Sequence, residues 1–214
     1  MSEKATGKRR RLLALGDPNK NIVDETVALA EEIGWSGVRL HLVAERLDIS
    51  LAELQTHFCD LDAIANAWFE RALQAMLAPV PDGFAAQTSP ERLHLLLMRW
   101  FDALALHRTL SHQMLNENLY LSHPHHWVPM IFNLSRIIQW LRDAALLNTD
   151  GRSRKIEEIG LSALFLAALA VWCRDDTQDQ EKTRQFLKRR LSRADFIMGM
   201  LRGVSRVRST DTGH

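Results

Sequence analysis

Between Val38 and Phe58 the chain carries two short runs of apolar residues at helical spacing, with almost nothing between them. Leu40, Val43, Ala44 and Leu47 share one face of a first helix, and Leu51, Leu54 and Phe58 share one face of a second. Ser50 stands as the N-cap of the second run, and Glu53 three residues later completes a capping box. Ala44 is small enough for the second helix to cross close over the first, and Ile49 fills the angle between them. That is the layout of a helix-turn-helix, whose second helix enters a DNA major groove. The same spacing also suits an ordinary αα-corner in an all-helical protein.

The surrounding segments are helical too. Asn21 to Ile33 places Ile22, Val23, Val27, Ala30 and Ile33 on one face and stops at Gly34, with Trp35 expected beneath the two short helices. Leu61 to Ala78 carries Ile64, Trp68, Ala72, Ala75 and Met76 and reads as a connector. Pro79 to Ser89 has two prolines, a glycine and no periodicity, so a boundary falls there.

The body restarts with Ser89 as N-cap, Pro90 at the first helical position and Glu91 in the first turn. Helices are expected from there through Leu104, over Leu110–Leu121 and from Pro124 to about Leu147. Ile156 to Trp172 is apolar nearly all round, which predicts burial on more than one side. Asp179 is the expected cap of a last helix ending near Leu201. No segment alternates as a strand does, so the expected class is all-α, with about nine helices. The expected organisation is a flexible basic arm over 1–18, a three-helix headpiece over 19–60, a connector over 61–78 and a helical body over 89–203.

Charge is distributed unevenly. Residues 1–20 carry six basic and two acidic side chains, a net +4; residues 21–70 carry two basic and ten acidic, a net −8; residues 182–208 carry nine basic and one acidic, a net +8. DNA affinity comes largely from neutralised phosphates, so an acidic headpiece opposes binding and the arm with Arg9, Arg10 and Arg11 offsets it in part. That arm equally reads as a solvated tail. No run of eighteen uncharged apolar residues is present, and no apolar segment follows the basic start, so neither a membrane span nor a signal peptide is expected. The two cysteines, Cys59 and Cys173, lie far apart and form no ligand or disulfide pattern, which fits the cytoplasm.

Residues 20–70 resemble the N-terminal domain of the tetracycline-repressor (TetR) family, on Gly34, Ser36, Val43-Ala44, Ile49-Ser50 and His57-Phe58. Three positions differ from that pattern: Asp48 replaces the turn glycine, Gln55 an aromatic residue that faces a phosphate, and Leu61 a lysine. A second resemblance covers roughly the last fifty residues. Trp172, Asp175-Asp176, Thr183 and the run Phe186 to Leu191 resemble the lipid-binding accessory proteins of ubiquinone biosynthesis, which share the TetR fold.

The first resemblance implies a homodimeric, ligand-responsive transcription regulator bound to a palindromic double-stranded DNA operator. Its candidate contacts are Arg39, Ser50, Glu53, Gln55, Thr56 and His57, with Arg9 to Arg11 on the DNA backbone. Gln55 matches adenine bidentately, and Glu53 accepts from cytosine. Helices 156–173 and 179–201 are implied to pair with a second copy. The body's apolar content suits a pocket for a small apolar ligand, with Met98, Phe101, Met114, Trp127, Met130, Phe132, Trp140, Phe165 and Trp172 as candidate lining; residues of these types also simply fill cores. The second resemblance implies an accessory protein that binds isoprenoid lipid, meets a membrane surface and does not bind DNA. The basic face at Lys188, Arg189, Arg190 and Arg193 fits that surface or plain solvent.

No phosphate loop, nucleophile elbow or metalloprotease spacing occurs, so no enzyme and no cofactor is expected. His107, His112, His123, His125 and His126 crowd together without metal-ligand spacing, so no metal is expected either.

Overall fold

Among the described residues eight α-helices and a ninth helical run follow one another, with no strand. A computed structural model describes residues 17–118 and 127–193, side chains at 116–118, 127–133 and 152 excepted. The helices are α1 (Pro18–Ile33), α2 (Leu40–Arg46), α3 (Leu51–His57), α4 (Leu61–Met76), α5 (Ser89–Leu104), α6 (Arg108–Asn118), α7 (Trp127–Ala144), α8 (Gly151–Trp172) and α9 (181–193). They form two compact units: Met1–Ala72 with Leu106–Trp127, and Leu73–Ala105 with Val128–His214. This division cuts across the expected 89–203 body, because α6 belongs with the headpiece.

In the first unit, α1 starts earlier than the sequence periodicity indicates. Asp17 Oδ1 accepts from the Asn19 amide at 3.0 Å and Pro18 opens the helix, so Pro18 is not part of an arm. Ile22, Val23, Val27, Leu29 and Ala30 form its buried face, while Ile33, expected there, is exposed. Gly34 ends the helix at φ 78°, its N–H bonded to Ala30 O. The chain then makes one 3₁₀ turn, Trp35–Gly37, with Trp35 buried and its N–H donating to Gln113 Oε1 of α6 at 2.9 Å. Further bonds tie α4 to α6 and α1. Trp68 Nε1 donates to Ser111 Oγ at 3.1 Å, and Arg71 pairs with Asp24 and donates to Lys20 O.

The second unit is built on α5. Its true N-cap is Thr88, one residue before the expected Ser89: the Thr88 amide and hydroxyl both donate to Glu91 Oε2 at 2.8 Å. From α5, Trp100 and Phe101 meet Phe165 and Trp172 of α8, with ring centroids 5.0 to 5.9 Å apart. Ile138 and Leu141 of α7, and Leu187 and Leu191 of α9, complete the interior. Arg142, 2% exposed, is compensated by Glu157 at 2.7 Å, Thr149 Oγ1 at 2.9 Å and Glu158 at 3.4 Å, which joins the end of α7 to the start of α8.

Two expectations fail here. The α8 helix is not buried on several sides: Leu161, Phe165, Ala168 and Trp172 face inward, but Ile156 (66%), Ile159 (71%) and Leu166 (49%) are exposed. Asp179 does not cap α9 either. It sits in the left-handed region at φ 53°, and Asp175 and Thr177 supply the cap, Thr177 Oγ1 accepting from the Lys182 amide and Asp175 Oδ2 from the Thr183 amide.

Candidate nucleic-acid interface

The turn between α2 and α3 closes as a tight left-handed corner. Asp48 takes φ 54°, where the Asx side chain costs less than most, and the Ile49 amide donates to Ala44 O at 2.9 Å. Ile49 is buried in the angle, beside the buried Val43 and Ala44. Ser50 Oγ then accepts from the Glu53 amide at 3.1 Å and starts α3.

Leu54 and Phe58 bury the inner face of α3, and Leu51, Ala52, Gln55 and Thr56 are exposed. Leu51 departs from the sequence pattern, which put it on the inner face with Leu54; in the first turn it lies 53% exposed instead. The other candidate contacts are placed as follows. Ser50 uses its hydroxyl as the cap, and Glu53 is half-buried beside it. Thr56 Oγ1 donates to Glu53 O at 2.7 Å. His57 is half-buried, and its Nδ1 donates to Asn19 Oδ1 at 2.8 Å, which fastens the end of α3 to the start of α1. Arg39 is exposed ahead of α2, with Nη1 donating to the carbonyls of Ser36 and Val38. Arg9, Arg10 and Arg11 lie outside the described residues.

Several headpiece carboxylates are hydrogen-bonded by basic side chains. Arg46 of α2 bridges Glu25 and Glu32 of α1, Arg71 takes Asp24, and His107 Nδ1 meets Glu31 at 2.5 Å. The Arg46 hydrogen bond holds the Glu32 carboxyl below its ordinary range. Glu53 is the only acidic residue on α3.

The second unit has an open groove of about 1070 Å³. Leu93, Leu147, Ile156, Leu164 and Phe186 line it, and Arg190 sits at its edge with its guanidinium 5.3 Å from the Phe186 ring centroid. Of the nine residues proposed from sequence for a pocket, the six with described side chains (Met98, Phe101, Met114, Trp140, Phe165 and Trp172) do not line this groove. Met98, Phe101, Phe165 and Trp172 are buried, and the three rings among them pack in the aromatic core. Trp140 is exposed on α7, and Met114 is buried in the first unit. The side chains of Trp127, Met130 and Phe132 lie outside the described set. Periodicity marks which residues face inward, whereas the groove gathers the loop after α7 with positions of α5, α8 and α9. Among the described residues no three His, Cys, Asp or Glu side chains converge as a metal site, and no helix is long and apolar enough to cross a membrane.

This architecture is similar to that of a TetR transcriptional regulator from Nitrosomonas europaea ATCC 19718, with 37% identity, a TM-score of 0.73, and 83% of this chain and 98% of that chain covered. The chain belongs to the TetR family. Two further crystal structures share the TetR fold at low identity. One is a regulator from Rhodococcus sp. RHA1 (17%, TM-score 0.57, 79% of this chain and 92% of that one). The other is PfmR from Thermus thermophilus (18%, TM-score 0.52, 80% and 97%). The COQ9 family also matches this TetR chain, over residues 158–197. No curated protein sequence matches it.

Proposed function

We propose that this TetR-family protein is a homodimeric, ligand-responsive regulator, most simply a repressor, that places α3 of each subunit in the major groove of a near-palindromic operator. The observation that carries this reading is the exposed face of α3, held outward by the buried Leu54 and Phe58, the Ser50 cap and the His57–Asn19 bond. Gln55 and Thr56 face base edges, with Arg39 and the Arg9–Arg11 arm on phosphates. The exposed Ile156, Ile159 and Leu166 of α8 support a partner helix from a second copy, together with α9. The groove shares Ile156, Gly160, Ala163 and Ala167 with that face, and its remaining apolar lining at Leu93, Leu147 and Phe186 supports a small apolar or amphipathic ligand in the body. Its binding shifts the equilibrium between two states only through a difference in affinity for them, and α4, whose residues belong to both units, is the element that would convey it. The protein works as a binding protein in the cytoplasm rather than as an enzyme.

Gel retardation of the protein's own promoter region at about 50 and 200 mM salt tests the reading. A retarded band that weakens with salt is the expected result; free DNA at the lower salt overturns it.

The COQ9 match over residues 158–197 favours a second reading, a lipid- or isoprenoid-binding accessory protein that kept the fold and lost the operator. The net −8 of residues 21–70, Gln55 and Leu61 are in its favour. Native mass spectrometry of the purified protein separates the two: co-purifying lipid, with no DNA retardation, supports the accessory role.

A further inference from the structure

If α3 reads an operator, as proposed above, the chemistry of its outward face limits which bases it can read. Leu51, Ala52, Gln55 and Thr56 fall at i, i+1, i+4 and i+5, a single strip along the helix, and all four are exposed. The strip carries no charge. Leu51, at 53% exposure, sits at its N-terminal end, the part of a recognition helix that contacts base edges.

In the major groove guanine presents two acceptors, N7 and O6, for which the matching partner is the paired donor set of Arg or Lys. The strip has none. Its one extended polar group is the Gln55 carboxamide, a donor and an acceptor side by side, and adenine offers the complement in N7 and N6–H₂. Thr56 narrows the choice further. Its hydroxyl hydrogen is committed to Glu53 O at 2.7 Å, so it presents lone pairs and a methyl group outward, and adds no donor for guanine. Leu51, Ala52 and the Thr56 methyl are apolar. The C5-methyl of thymine is the apolar group on the major-groove edge of a base pair, and covering it removes both surfaces from water.

We propose that the base pairs contacted by α3 are A·T pairs, with Gln55 on an adenine and Leu51, Ala52 and Thr56 against thymine methyl groups. Arg39, assigned above to a phosphate, lies before α2 and not on the strip, so the proposal concerns only the pairs beneath α3.

The experiment is selection of the full-length protein against randomised duplexes, repeated with Gln55→Ala and Leu51→Ala. Both changes are at exposed positions, and circular dichroism checks that helicity is retained. In the retained half-sites, the positions whose preference disappears with Gln55→Ala are expected to be A·T, and affinity for the wild-type site is expected to fall by about 5- to 150-fold. Replacing thymine by deoxyuridine in those sites changes only the DNA. It is expected to weaken wild-type binding about fourfold per contacted methyl, and to have a smaller effect on Leu51→Ala. Positions lost with Gln55→Ala that are G·C, or equal wild-type affinity for thymine and deoxyuridine sites, overturn this inference alone. Retention of no duplex at low salt overturns the operator reading and this inference with it.

Discussion

The carboxylate of Asp175 is 1% exposed and receives four donors: the amide and hydroxyl of Thr177 on Oδ1, and the amide and hydroxyl of Thr183 on Oδ2. Burial alone would raise its pKa; the Thr177 and Thr183 hydrogen bonds outweigh it and bring the group from its ordinary 3.8 down to about 2. Because the folded state favours the charged form, the contribution is complete above about pH 4 and is lost as pH falls towards 2, roughly 2 kcal/mol in all. The Asp175→Asn variant keeps one acceptor and points an amide at donors. It is expected to lose about 2–3 kcal/mol at pH 7 in urea unfolding, and the difference from wild type should shrink as pH falls from 4 to 2. A difference independent of pH would mean that the carboxylate's charge is not what holds the turn. The pairing also accounts for the acidic turn and the threonine that carry the second resemblance, since they are the two halves of the α9 cap. Spacing in the sequence points instead to Asp179, because an N-cap is looked for next to its helix and Asp175 reaches across eight residues to Thr183.

Helix ends show where sequence reading succeeds and where it stops. The corner at Asp48 and the stop at Gly34 are legible because Asx and Gly are the residues that enter the left-handed region at low cost. The end of α7 is not. Leu146 lies at φ 56° and closes a Schellman turn, with its own amide on Asp143 O and the Leu147 amide on Arg142 O, both at 3.1 Å. A leucine announces nothing of this kind, so periodicity carries the helix on to Leu147. Leu146→Gly is expected to remove the left-handed strain and raise stability by about 1 kcal/mol, read as a higher urea midpoint at unchanged slope. A lower midpoint would mean that the contacts of Leu146 along the groove outweigh the strain. The existence and order of the helices follow from apolar spacing, as does the inward placement of Leu54 and Phe58. The groove does not, because it gathers the start of α5 and the turn after α7 with α8 and α9, and no periodicity within a single helix encodes such a gathering.

At the scale of the whole molecule, the uncovered side of α8 decides how the surface should be read. Sequence pattern predicts a helix buried on more than one side, and one chain buries only one. Ile156, Ile159 and Leu166 remain in water along a face that also carries the exposed Gly160, Ala163, Ala167 and Ala170, small enough for a second helix to approach closely. A second copy would restore the missing burial, and it would also join two reading heads. One head whose α3 carries no Lys or Arg, within an acidic headpiece, would draw little from phosphate neutralisation on that helix, so operator affinity, as proposed above, would rest on using two heads at once. Ile159→Asp places a charge in the centre of that face without touching the inward Leu161, Phe165 or Trp172. The variant is expected to sediment as a monomer with wild-type helicity, and to lose about 100-fold or more in operator affinity as the second half-site ceases to be linked to the first. A variant that remains dimeric would put the interface on another face; one that becomes monomeric and keeps full operator affinity would mean that one head suffices.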